Sequence, residues 1–112
     1  MDNIIINIAK DFSRSPGARY KEEGDFPGVE FRSNLLAPNL KKAIDNGVKV
    51  EVNLDGSAGY STAFLEESFG GLIREDGFTY DEVMNNIIFT SDEDPSYIDD
   101  IKHYIEHAWE HR

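Results

Sequence analysis

The 112-residue chain carries 22 acidic against 11 basic residues, a net charge of −11, and no cysteine. The acidic surplus repels nucleic-acid backbones and anionic lipid, and the missing thiols exclude a disulfide framework, a thiolate metal site and a cysteine nucleophile. With 39% hydrophobic and 12% aromatic residues, the composition is that of one folded domain spanning residues 1–112.

The apolar start Ile4-Ile5-Ile6 is too short for a secretory leader or a membrane span and lacks a basic flank. Together with the absent cysteines, this sets the expectation of a cytoplasmic protein with no membrane partner. The segment Asn3 to Ala9 reads as a first strand, with Ile4, Ile6 and Ile8 on one face and Ile5 covered on the other. Asp11 to Gly28 then holds two Pro-Gly pairs and reads as a long functional loop. Within it Ser13, Arg19 and Tyr20 are candidate contacts for a ligand or partner, the cation standing out in an acidic chain, with pairing of Arg19 to Asp11 as the alternative.

From Val29 to Asp45 the positions Val29, Leu36, Leu40, Ala43 and Ile44 share one helical stripe, and Asn46-Gly47 supplies the stop. Pro38 is expected to kink that helix or divide it in two. Val48, Val50, Val52 and Leu54 alternate with polar residues, the period-2 pattern of a strand with one buried face. Asp55-Gly56-Ser57 follows as a turn, and Ser61 or Thr62 caps the next helix, whose dipole favours negative charge nearby. Ser57, Gly59 and Tyr60 in this junction are candidate contact residues.

Gly70-Gly71 marks either the end of that helix or a close approach to another backbone. Thr79-Tyr-Asp-Glu82 has capping-box spacing and introduces a short helix, Asn86 to Thr90 reads as a third strand, and Asp94-Pro95 opens a final amphipathic helix. Strands alternating with helices predict an α/β domain with a mostly parallel or mixed sheet and helices packed on it.

Asp55-Gly-Ser57-Ala-Gly59 lies one residue from a nucleophile elbow, but all three histidines fall on the last helix, so no catalytic triad is expected. His103, His107 and His111 recur every four residues on one polar strip; without a further ligand they predict no metal site, and no cofactor is called for.

From Asn53-Leu54 through Tyr60-Ser-Thr-Ala-Phe-Leu65, the strand, turn and hydroxyl-capped helix resemble the matching unit of STAS domains, the anti-sigma-factor-antagonist fold. The chain is more similar still to a STAS-like bacterial family of unknown function. That resemblance rests on Asp11-Phe-Ser13, Pro16-Gly-Ala-Arg-Tyr20, Phe31-Arg32 with Leu35-Leu36 and Pro38, and Gly59-Tyr60 through Phe64-Leu-Glu-Glu67 with Phe69-Gly-Gly-Leu72. It implies a small STAS-like fold. In STAS antagonists an Asp-Ser pair opens the central helix, and a serine kinase with a histidine-kinase-like ATP site phosphorylates the serine. Here Ser61 takes the place of that Asp and Thr62 that of the serine, so Thr62, then Ser61, are the phosphoacceptor candidates and the acidic residue is missing.

The resemblance thus implies a non-enzymatic regulatory module that binds a protein, such as a histidine-kinase-like ATPase, at the start of the central helix. An acidic inhibitor or nucleic-acid mimic that fills a basic groove is the alternative suggested by charge. A third reading is a small enzyme or sensor for a phosphorylated ligand at the Arg19 loop.

Overall fold

The computed structural model describes residues 2–17 and 24–112. Three strands, β1 (Ile4–Asn7), β2 (Val50–Asn53) and β3 (Ile87–Thr90), form a parallel sheet in the order β1-β2-β3. The register sets Ile4, Val50 and Ile87 in one row, Ile5, Glu51 and Ile88 in the next, and Asn7, Asn53 and Thr90 at the carboxyl ends. A short helical turn, α1 (Ile8–Asp11), follows β1. Helix α2 (residues 28–46) joins β1 to β2; α3 (residues 62–74) and α4 (Tyr80–Asn86) join β2 to β3; α5 (Ser96–Glu110) closes the chain.

Each strand buries alternate residues. Ile6, Val50, Val52 and Ile87, with Ile8 and Leu54 just beyond the strand ends, enter one core with Phe31, Leu36, Leu40, Phe64, Phe69, Leu72, Ile101 and Ile105 of the helices. Right-handed crossovers that always step the same way along a sheet leave their helices on one face, and the side-chain alternation agrees. The opposite face is open: Ile5, expected to be covered, is 69% exposed, and Ile88 is 41% exposed.

Element ends follow local hydrogen bonding. The first strand stops at Asn7, short of Ala9, because the Asn7 side chain accepts the Lys10 N–H and its own N–H goes to Asp11, which turns the chain into α1. Val48 does not join β2 as expected, since its N–H closes a Schellman cap on Ala43 behind left-handed Gly47. The capping box at Thr79 and Glu82 forms as the spacing predicts.

Pro38 does not interrupt α2 but lies, as expected, in the first turn of its last α-helical segment, Ala37–Asn46. A π-helical segment, Arg32–Leu36, lies immediately before it and widens the helix where the proline ring would press on a carbonyl and a backbone N–H is missing. Helix α3 contains a second π segment, Glu66–Gly70, and runs through Gly70-Gly71 to Arg74, so those glycines serve close approach and not termination. A Cβ on Gly71 would lie 2.5 Å from Arg32 Nε, and one on Gly28 would lie 2.8 Å from the Phe64 carbonyl.

The space left by these glycines holds a buried ion pair. Arg32 (5% exposed) donates to Glu67 (2% exposed) at 2.9 Å, to the Glu67 carbonyl at 3.1 Å and to Asp76 at 2.9 Å, joining the two π segments. Arg74 pairs with Glu66 at 2.7 Å and approaches Glu67 at 3.5 Å. Adjacent on the helix and expected to point apart, Glu66 and Glu67 instead both reach the guanidinium of Arg74, while Glu67 also meets Arg32.

Candidate functional site

Because all three strands run the same way, their carboxyl ends, the loops that follow and the starts of α3 and α5 gather at one edge of the sheet. In open α/β folds this edge is where sites are built. Residues with short polar side chains end each strand here: Asn7, Asn53 and Thr90. Asn53 accepts the Asp55 N–H at 2.9 Å and begins the tight turn through Gly56, whose φ of 91° suits glycine.

The junction between β2 and α3 is tied to the loops on either side. Toward the β3 loop, the Asp55 carboxylate accepts the N–H groups of Asp92 and Glu93, and the Gly56 N–H donates to Glu93 at 2.6 Å. Toward the loop after α1, the Ala58 N–H donates to the Arg14 carbonyl at 2.7 Å, and the Ser57 hydroxyl lies 3.2 Å from that same oxygen. Ser57 Oγ also accepts the Gly59 N–H at 3.0 Å, beside a glycine whose φ of 143° other residues rarely adopt. Asp55 and Ser57 act as turn formers.

Tyr60 locks the junction from beneath. Its hydroxyl donates to the Leu54 carbonyl at 2.7 Å, its N–H meets the Tyr97 hydroxyl at 3.3 Å, and its ring stacks on Phe64 and meets Tyr97 edge-on. Burial pushes the Tyr60 hydroxyl up to about 12. Ser61 is the N-cap of α3: it accepts the Phe64 N–H at 3.0 Å and donates to the Gly17 carbonyl at 3.0 Å. Thr62, at the first position of α3, is exposed, as is Ser61.

The structure therefore brings Ser57, Gly59, Tyr60, Ser61 and Thr62 together, with Ser13 nearby in the loop that Arg14 and Gly17 anchor. Ser13 Oγ accepts the Ser15 N–H at 3.0 Å, a local turn contact. Arg19 and Tyr20 lie outside the described residues. Among the described residues no trio of histidine and carboxylate side chains is placed to hold a metal ion, and His107 and His111 stack with ring centroids 4.2 Å apart.

An open pocket of about 440 Å³ at this edge is lined by Asn7, Ala9, Lys10, Arg14, Asp55 and Gly56. It does not reach Ser57 or Tyr60. Sequence reading did not single out Tyr97, Glu93 or Asn7; the last could have been found as an Asn ending an isoleucine run, whereas Tyr97 and Glu93 gain their roles only through tertiary contact.

A small α/β domain with a parallel sheet and a hydroxyl-capped helix after its middle strand is consistent with the STAS-like class. The chain belongs to the family described as the STAS-like domain of unknown function (DUF4325), whose family model matches residues 27–97, from the start of α2 into α5. No curated protein and no solved structure matches the chain. Among the described residues no helix is long and apolar enough to cross a membrane.

Proposed function

We propose that this domain is a non-enzymatic regulatory module that binds a protein partner through the carboxyl edge of its sheet, centred on Tyr60, Ser61 and Thr62. One observation carries the reading. The β2–α3 junction is partly exposed, with Ser61 and Thr62 open to solvent, yet held by hydrogen bonds to both neighbouring loops, so it meets a partner at little cost in ordering.

The two hydroxyls at the helix start differ in a way that bears on regulation. Ser61 is engaged on both sides, as acceptor from Phe64 and donor to Gly17, whereas Thr62 stands exposed one residue further on. Thr62 is therefore the position at which phosphorylation would act, adding about two negative charges to the docking surface near a helix dipole that tolerates them. The family resemblance points to a histidine-kinase-like ATPase as the partner, and the cysteine-free acidic chain suits a cytoplasmic setting.

The experiment is co-purification of the domain with the products of genes beside its own, followed by affinity measurement for wild type and Thr62→Glu. The reading expects a partner whose binding weakens at least tenfold in Thr62→Glu. Unchanged affinity rejects the helix-start surface, and turnover of a small molecule by the purified domain rejects the non-enzymatic role.

A further inference from the structure

All-parallel sheets are normally covered on both faces, but this one buries only one. On its other face the register places Ile5, Glu51 and Ile88 side by side across the three strands. Ile5 is 69% exposed and Ile88 41% exposed, and among the described residues these two join Phe26 as exposed large apolar side chains. Strands lie about 4.8 Å apart, so the two isoleucines flank the carboxylate across about 10 Å, close to the width of a single helix.

Glu51 selects what can lie there. Its Oε2 accepts from Asn3 at 3.2 Å, and among the described residues it makes no ion pair. A second copy of the chain packed face to face would bring two such carboxylates together between two bodies that each carry −11. Nucleic acid and anionic lipid are repelled for the same reason. A helix with an apolar stripe and a Lys or Arg within it meets both the isoleucines and the carboxylate.

We propose that this open face docks a cationic amphipathic helix of a partner protein, with Ile5 and Ile88 taking its apolar side chains and Glu51 pairing with a basic residue between them. The surface is separate from the helix-start edge, so the domain would hold two partner elements at once, one on its sheet face and one at its loops.

The probe is a synthetic amphipathic helix of leucine and lysine, titrated by fluorescence anisotropy against the full chain at about 0.15 M salt, where long-range attraction is screened. Ile5→Ser and Ile88→Ser are expected to weaken binding at least tenfold each. Glu51→Lys is expected to do the same, while Asp99→Lys on α5, an equal change in net charge, moves affinity no more than twofold. Because Ile5 and Ile88 are exposed, these variants should melt with the wild type, and Glu51→Gln repeats the charge test with a smaller change in shape.

Equal weakening by Asp99→Lys and Glu51→Lys, or binding indifferent to both isoleucine variants, overturns the proposal. A dimer seen by sedimentation and dissolved by Ile5→Ser overturns the assigned occupant. Since Thr62→Glu lies at the other site, it should leave this titration unchanged.

Discussion

Removing one partner from the ion pair between the π segments tests the account of how α2 and α3 are locked together. Arg32→Met takes from the Glu67 carboxylate, only 2% exposed, its 2.9 Å ion pair and also unmakes the contact to the Glu67 carbonyl. Breaking a buried pair in this way costs about 3–5 kcal/mol, because a carboxylate away from water loses its 2.9 Å partner. For 112 residues the unfolding entropy is about 0.24 kcal/mol/K, so the loss corresponds to a fall in Tm of about 13–21 °C. Thermal and urea unfolding followed by circular dichroism read it directly. The double variant Arg32→Met with Glu67→Leu removes both charges and should recover most of the loss, since an apolar pair of similar volume often equals or exceeds a buried ion pair. Asp76→Asn, whose side chain is 28% exposed, should cost no more than about 1 kcal/mol. A loss below about 1 kcal/mol for Arg32→Met, or a double variant no more stable than the single one, would refute the idea that the buried Arg32–Glu67 pair locks the two helices.

Gly28→Ala and Gly71→Ala each place a methyl against a neighbour, the Phe64 carbonyl at 2.8 Å and Arg32 Nε at 2.5 Å, and should each destabilise by about 1–3 kcal/mol in the same unfolding assay. Ser61→Ala removes the N-cap of α3 and should cost about 1 kcal/mol, whereas exposed Thr62→Ala should stay within about 0.5 kcal/mol. Because the Tyr60 hydroxyl is raised to about 12 by burial, folding favours its protonated form: the stability it lends is full below about pH 10 and is lost as pH rises through about 12. Ultraviolet titration should show a tyrosine ionisation near pH 12, and Tyr60→Phe should abolish that step and flatten the decline.

How much could be read in advance divides along a physical line. Periodicity exposed all three strands and the long helices, since Val50, Val52 and Leu54 on β2 and Ile101 and Ile105 on α5 follow the alternation or stripe that burial imposes. Caps written in adjacent residues were equally legible, as at Thr79 with Glu82 and at Gly47. Features that depend on the packing of distant segments were not. The passage of α3 through Gly70-Gly71 goes with the Arg32–Glu67 contact between residues 35 positions apart, which joins the two π segments. Ile5 was expected to be covered because an unbroken isoleucine run reads as a two-sided core strand, yet crossovers that all step the same way leave that side bare.

The same division holds at the candidate site. Ser57, Gly59, Tyr60 and Ser61 announced themselves as turn and cap chemistry between a strand and a helix. Tyr97 and Glu93 were silent because each reaches the junction from 37 residues away, through Tyr97 to the Tyr60 N–H and through Glu93 to the Gly56 N–H. Several family-resemblance positions, Phe31, Arg32, Phe64, Glu67 and Phe69, prove to be buried packing and ion-pair residues. They explain why the fold is readable from the motif while the partner is not.

The most direct test of the docking surface is amide hydrogen exchange on the domain alone and with its co-purified partner. Protection concentrated at residues 55–64 and 91–97 on complex formation, reduced in Thr62→Glu, is the predicted result. Protection confined to α2 and α5, with the β2–α3 junction exchanging as in the free domain, would contradict it.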